Sequence, residues 1–283
     1  MHLGSNLKHI LTLLFLLIII YTTLTGITYS YLSSDKDYKK YRLKDCINSK
    51  DCIWTTFEQV AFGLEFNQKY PEVIKRFNSK DISLGYYIED KQKSPLLQSF
   101  LQKYISLIDY HTTINLSLNN KDPDILLLFV NDYDFRSRTG VINYIRNFLY
   151  KDKTDEEILS ILENNNDNLC YLVSNLNTRT SIINKSIVFV RLDLKDFMLD
   201  ACIQEEVTQA MGLFNDIKDI DYSLFNDDII TTNLTELDFL MLDIIYNEQM
   251  RPGLDKGRAK KVFNRLHDKI RDVTNPLKNS GTK

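Results

Sequence analysis

The chain has 283 residues, 43% hydrophobic and 26% charged, with a net charge of −3. That composition suits a globular protein with ample material for a core and excludes an intrinsically disordered chain. The slight acidity excludes any bulk electrostatic attraction to nucleic acid.

In chain order, residues 1–9 form a short tail, and Ile10 to Leu32 contains no charged residue. The run "ILTLLFLLIIIY" is almost wholly aliphatic, and with "TTLTGITYSYL" it just reaches the roughly 20 residues that cross a bilayer. The segment 10–32 is read as a transmembrane anchor or as a signal peptide cut after Ser30, with the anchor preferred. It has no polar face, which argues against a core helix. Lys36, Lys39, Lys40, Arg42 and Lys44 follow the segment, and the positive-inside rule taken literally keeps the body in the cytoplasm. The cysteines oppose this. Cys46 and Cys52 form one plausible pair, and Cys170 and Cys202, which flank a predicted hairpin, form the other. An even count in two plausible pairs points to an oxidising compartment, so the body is expected in the periplasm or outside the cell.

Residues 33–52 are charged and poor in aliphatics and read as a linker. A single α+β domain is expected over 53–283. Helical spacing opens it at "WTTFEQVAFGLEFN". A strand at "DISLGYYIED" and a helix from about Ser94 to Asp109 follow, then strands at "YHTTINLSL" and "PDILLLFVND". The 31 Tyr and Phe residues are read as core rather than as a carbohydrate platform. The acidic spacing of "NDYDF" is a faint Ca²⁺ signal. In "TDEEILSILENN", Thr154 and Glu157 have the spacing of a capping box. "CYLVSNL" and "KSIVFVRLDL" bracket a hairpin turn. Next come the helix in "CIQEEVTQAMGLFND", a turn-rich bridge around "DYSLFNDD", the helix "LTELDFLMLDIIYN" and a final charged helix from Asp255 to about Val273. Pro252 and Gly253 separate those last two.

The helix beginning at Cys202 holds the candidate site. At about 100° per residue, Ile203, Val207, Ala210, Met211 and Phe214 fall in one arc. Glu205, Glu206 and Gln209 fall in the opposite one. Glu205 and Gln209 are one turn apart, within reach of a common ligand, and Gly212 permits a sharp turn. Asn215 and Asp216 follow with oxygens placed to face back to the helix. The plain alternative is an ordinary helix whose acidic first turn complements the macrodipole and whose glycine stops it. The chain has only four histidines, His2, His9, His111 and His267, none with a second at three or four residues. A His-based zinc site is excluded.

The stretch Glu205–Asn215 resembles the metzincin peptidase motif, in which three histidines bind zinc, a Glu follows the first and a Gly marks the bend. The resemblance implies a zincin-like domain with a mixed sheet and an active-site-type helix. Glu206 stands at the general-base position, Gly212 at the bend, and Glu205, Gln209 and Asn215 at the ligand positions. Phe225, in "YSLFND", stands where that group carries a methionine beneath the metal. Residues Cys170–Leu254 more closely resemble the bacterial DUF2927 family, through "CIQEEVTQAMGLFND", "SLFND", "LTELDFLMLDIIY" and "MRPG". That resemblance implies a fold and an exported or anchored setting, not a reaction.

Zinc affinity collapses without nitrogen ligands. The oxygens of Glu205, Gln209, Asn215 and Asp216 suit Ca²⁺ or a hydrogen-bond network that holds the helix to the turn. The expectation is a non-catalytic, degenerate peptidase-like domain that acts in binding or envelope assembly, with no cofactor. The alternatives are a hydrolase with Glu206 as base and an oxygen-coordinated ion, or a purely structural domain.

Overall fold

The computed structural model describes residues 43–63, 71–135, 139–163, 168–217, 223–226 and 233–274. The expected anchor at 10–32 lies outside them. Among the described residues, no helix is long and apolar enough to cross a membrane. The chain divides into two units, residues 1–48 and 49–283. Of the first, 43–48 is described, and there the Asn48 side-chain amide donates to the Lys44 carbonyl at 2.7 Å.

The second unit opens with α1 (Lys50–Phe62), capped by Ser49, whose hydroxyl accepts from the Cys52 amide. Helix therefore begins three residues before the expected boundary at Ile53. Then follow β1 (Asp81–Ile88), α2 (Ser94–His111), β2 (Asn115–Leu118), β3 (Ile125–Val130), α3 (Thr139–Leu149), α4 (Asp155–Glu163), β4 (Cys170–Asn177), β5 (Ile182–Arg191), α5 (Asp196–Ala210), α6 (Glu236–Ile245) and α7 (Lys256–Thr274). The sequence reading passes over α3, although Ile142, Ile145 and Leu149 recur at helical spacing and are all buried.

The strands make one five-stranded mixed sheet in the order β2-β1-β3-β5-β4. β2, β1, β3 and β5 run parallel, and β4 is antiparallel to β5. The solid apolar run of β3 follows from its central position, where both faces are covered. On one face Leu126, Leu128, Tyr171, Ile187 and Phe189 pack with Ile142, Ile145 and Ile158 of α3 and α4. On the other face α5 lies against β4 and β5 and also touches α2. A separate cluster joins α1 to α6 and α7, with Trp54 5.4 Å from Phe263 between ring centroids.

The short parallel link from β2 to β3 explains Gly85. Leu84 pairs with both Leu118 and Ile125, so residues 119–124 must cross β1 at that level. A Cβ on Gly85 would stand 2.6 Å from the Pro123 ring and 3.2 Å from the Asn119 carbonyl. Only a residue without a side chain lets the backbone pass this closely. Asp124 then fixes the crossing by accepting from the Ser83 amide and hydroxyl at 2.8 and 2.7 Å.

Candidate functional site

Helix α5 is buried nearly all round. Glu206 is 7% exposed and Gln209 5%, so the polar arc faces protein rather than solvent. The plain reading put Glu205 and Glu206 in the helix's first turn, but the helix begins at Asp196, so they lie in its last turns and do not complement the macrodipole there. Gln204 and Thr208 are fully buried as well. The Thr208 hydroxyl bonds the Gln204 carbonyl at 2.5 Å and lies 2.9 Å from the Tyr104 hydroxyl of α2, and the Gln204 side chain accepts from the Leu234 amide. Polar groups on this helix bind it to its neighbours, as buried polar groups must.

At its end the helix turns through Gly212, with φ +121°, a region that favours glycine. A Cβ there would meet the Lys75 carbonyl at 2.2 Å. The freed Met211 carbonyl accepts from the Tyr246 hydroxyl at 2.8 Å, which closes the helix from α6. The Arg76 guanidinium stacks 5.1 Å above that Tyr246 ring and donates to the Met250 and Phe77 carbonyls. The "MRPG" turn is placed through the same segment, with the Gly253 amide donating to Ile74 at 2.8 Å.

The structure brings together only part of the predicted set. The Gln209 side-chain amide donates to the Asp216 carboxylate at 2.7 Å, one closed link between helix and turn. Asn215 faces elsewhere. Its side-chain amide donates to the Gln59 carbonyl of α1 at 3.1 Å, and its backbone amide to Val60. Its side chain lies so close to Gly63 that a Cβ there would come within 2.3 Å of it. Asn215 thus binds α1 rather than facing back to α5, because the orphan carbonyls at a helix C-terminus are the nearest unsatisfied acceptors. Glu205 stays half-buried on the helix.

This donor set does not fit zinc. One of the three frame positions is an amide held by a carboxylate and another an amide held by backbone carbonyls, and neither presents a nitrogen lone pair. Among the described residues, no group of three or more His, Cys, Asp or Glu stands where it could hold a metal ion. That includes the acidic residues of "NDYDF".

Phe225 is fully buried, and its carbonyl accepts from the Ile217 amide at 2.6 Å. Its turn is held by Asp238 of α6, which accepts from the Ser223 hydroxyl at 2.6 Å and the Leu224 amide at 3.2 Å. The same carboxylate accepts from the amide and hydroxyl of Thr235, completing a capping box. Burial nonetheless pushes the Asp238 carboxyl above its ordinary range against those four bonds.

Two residues near Glu206 went unread in the sequence. Tyr133 comes from the loop after β3, and Tyr171 lies on β4. Burial raises both phenols; the Glu206 carboxylate adds to the effect on Tyr133, and Tyr133 and then Glu206 add to it on Tyr171. The rings meet edge to face at 5.0 Å. The Tyr133 hydroxyl donates to the Leu169 carbonyl at 2.9 Å, while the buried Tyr171 hydroxyl has no hydrogen-bond partner among the described residues. No local spacing could have announced this, because the three residues come from three distant segments. The only hint was Cys170, whose neighbour is Tyr171.

The Cys170–Cys202 disulfide ties β4 to α5 across 32 residues of chain. Cys46 and Cys52 are also disulfide-bonded, and none of the four cysteines is free. The two disulfides expected from the cysteine count are therefore present.

A family model described as "Protein of unknown function (DUF2927)" matches residues 50–265. No curated protein matches the chain. Among solved structures, the crystal structure of myroilysin matches at 13% identity and a TM-score of 0.29, over 56% of this chain and 56% of that chain. At that TM-score the likeness carries no argument.

Proposed function

The chain belongs to the DUF2927 family, and from that premise we propose a non-catalytic binding domain, tethered to a membrane through residues 10–32 with its body in the periplasm or outside the cell. Its frame is zincin-like and degenerate. The observation that carries the reading is the engagement of the frame positions: Gln209 is bonded to Asp216 and Asn215 to the end of α1. Side chains that would have to release structural partners to hold an ion serve architecture instead. Without an ion to lower the pKa of water, Glu206 supplies proton transfer but no activated nucleophile. Two disulfides in one chain support the oxidising compartment. Binding within envelope assembly is the role this suits.

The test is metal content by mass spectrometry on the purified full chain, with melting followed in EDTA, Ca²⁺ and Zn²⁺. We expect no stoichiometric ion and a Tm indifferent to chelator. A stoichiometric ion that is lost, with stability, in Glu205→Ala and Gln209→Ala would overturn the reading.

One observation favours a second reading, a hydrolase with Glu206 as base. Among the described residues the Tyr171 hydroxyl near that carboxylate is buried without a partner, as a group awaiting a ligand would be. Peptide or glycan turnover abolished by Glu206→Gln at unchanged Tm would establish it.

A further inference from the structure

The sheet has two edges, and they are treated differently. β2 is four residues long, and shortness alone protects an edge strand. β4 is eight residues long and reads "CYLVSNLN", without charge or proline. Its one irregularity falls between Asn175 and Leu176, which leaves Cys170–Ser174 regular. Among the described residues, nothing pairs with the outer edge of that stretch. A long, neutral, regular edge is a template for another strand, and the usual charge, proline and early bulge that would prevent it are missing.

The edge is also held rigid. Cys170 is fixed to Cys202, the Ser174 hydroxyl lies 2.7 Å from that of Ser186, and the Asn175 side-chain amide donates to the Leu149 carbonyl at 2.5 Å. Little further ordering is required before a strand can add, so little entropy opposes it.

We propose that β4 pairs antiparallel with β4 of a second copy of this chain, about a two-fold axis at Leu172, to form a continuous ten-stranded sheet. In that register Leu172 faces Leu172 of the second copy, Tyr171 faces Val173, and Cys170 faces Ser174. The inference goes beyond the binding role proposed above and does not depend on it. Two features favour a second copy over a foreign peptide. Tyr171 and Val173 are turned into the core, at 2% and 8% exposure, so one face of the edge offers backbone but no pocket for reading a foreign sequence. The strand is neutral, so self-pairing brings no like charges together. A two-fold axis also closes the assembly at two chains and leaves the short β2 strands as the only outer edges of the joined sheet.

Sedimentation velocity on the full chain in a density-matched detergent tests the pairing. The wild-type chain is expected to sediment as a dimer. Leu172→Lys and Leu172→Glu each place like charges opposite one another and are expected to weaken dimerisation at least tenfold, at nearly unchanged Tm. An equimolar mixture of the two is expected to restore the dimer, because the pair is then complementary. Hydrogen exchange at residues 170–174 of the wild-type chain, slow when concentrated and faster on dilution, reads the same contact without substitution. A monomeric wild-type chain overturns the proposal, including one whose edge instead takes up an added extended peptide. A dimer that persists in both folded variants, or a mixture that stays monomeric, overturns it too.

Discussion

Gly212 shows what one residue decides in this molecule. Its φ of +121° and the Lys75 carbonyl 2.2 Å from a would-be Cβ exclude any side chain. Gly212→Ala is expected to cost about 2 kcal/mol or more, read from urea denaturation, because both dihedral strain and a backbone clash must be relieved. The sequence marked this glycine as a bend and was right to, since a glycine after the last helical turn has a local cause. It was silent on Tyr171, whose buried hydroxyl is unpartnered among the described residues. Deleting an unsatisfied polar atom removes its desolvation cost, so Tyr171→Phe is expected to be neutral or to stabilise by up to about 2 kcal/mol. A fall in Tm would show that the hydroxyl has a partner in solution.

At the scale of elements, most local signals were read correctly, with α3 missed, and of the contacts between distant segments only the Cys170–Cys202 pair was foreseen. The capping box of α4 is present as expected, the Thr154 amide donating to Glu157 at 2.8 Å and the Glu157 amide to the Thr154 hydroxyl at 3.3 Å. The β4–β5 hairpin is likewise where turn chemistry placed it. Asn215, by contrast, was expected to face α5 and is bonded to α1, whose end arrives from about 150 residues earlier in the chain and left no trace in the local spacing. The Cys170–Cys202 bridge makes the elements around the site interdependent. Closing a loop of that length restricts the unfolded chain by about 3–4 kcal/mol on a chain-entropy account. The Cys170→Ala/Cys202→Ala double variant is expected to lose about that much. It is also expected to expose β4 first, as faster hydrogen exchange at 171–174 than at β3. Uniform loss across the sheet would mean that the bridge steadies the whole fold rather than its edge.

Across the whole molecule, three buried ionisable groups give the stability curve its shape, and they run against the usual order. Burial raises Asp238 and Asp243 above the ordinary carboxylate range, and it lowers Lys75 from 10.5 to about 8. The folded chain therefore holds the two carboxyl protons more tightly than the unfolded chain does. Their contribution to stability is complete below about pH 4 and falls as pH rises through the folded values. Lys75 acts in the opposite sense. Between about pH 8 and 9.5 the unfolded chain holds the Lys75 proton more tightly than the folded one, so stability climbs with pH there. Above about pH 9.5 the buried phenols of Tyr104, Tyr133, Tyr171 and Tyr246, which burial raises, oppose the climb. The lowered carboxyls of Asp122, Asp193 and Asp255 are exposed ion pairs, screened by water and salt, and alter this little. The two terms together put a minimum in stability below the rise that begins near pH 8. Asp243→Asn separates them, since its side-chain oxygen can still accept from the amide and hydroxyl of Thr113 while no charge is buried. It is expected to reduce the acid-side fall to the share of Asp238 and leave the alkaline rise intact. Lys75→Met does the converse, removing the alkaline rise and adding at most about 3 kcal/mol at pH 7. Urea denaturation at pH 4.5, 7 and 9.5 on the wild-type chain and both variants decides the matter. A wild-type stability that peaks at pH 7, or that falls between 8 and 9.5, would mean that water reaches these groups and that the core around α6 and the 73–77 segment opens in solution.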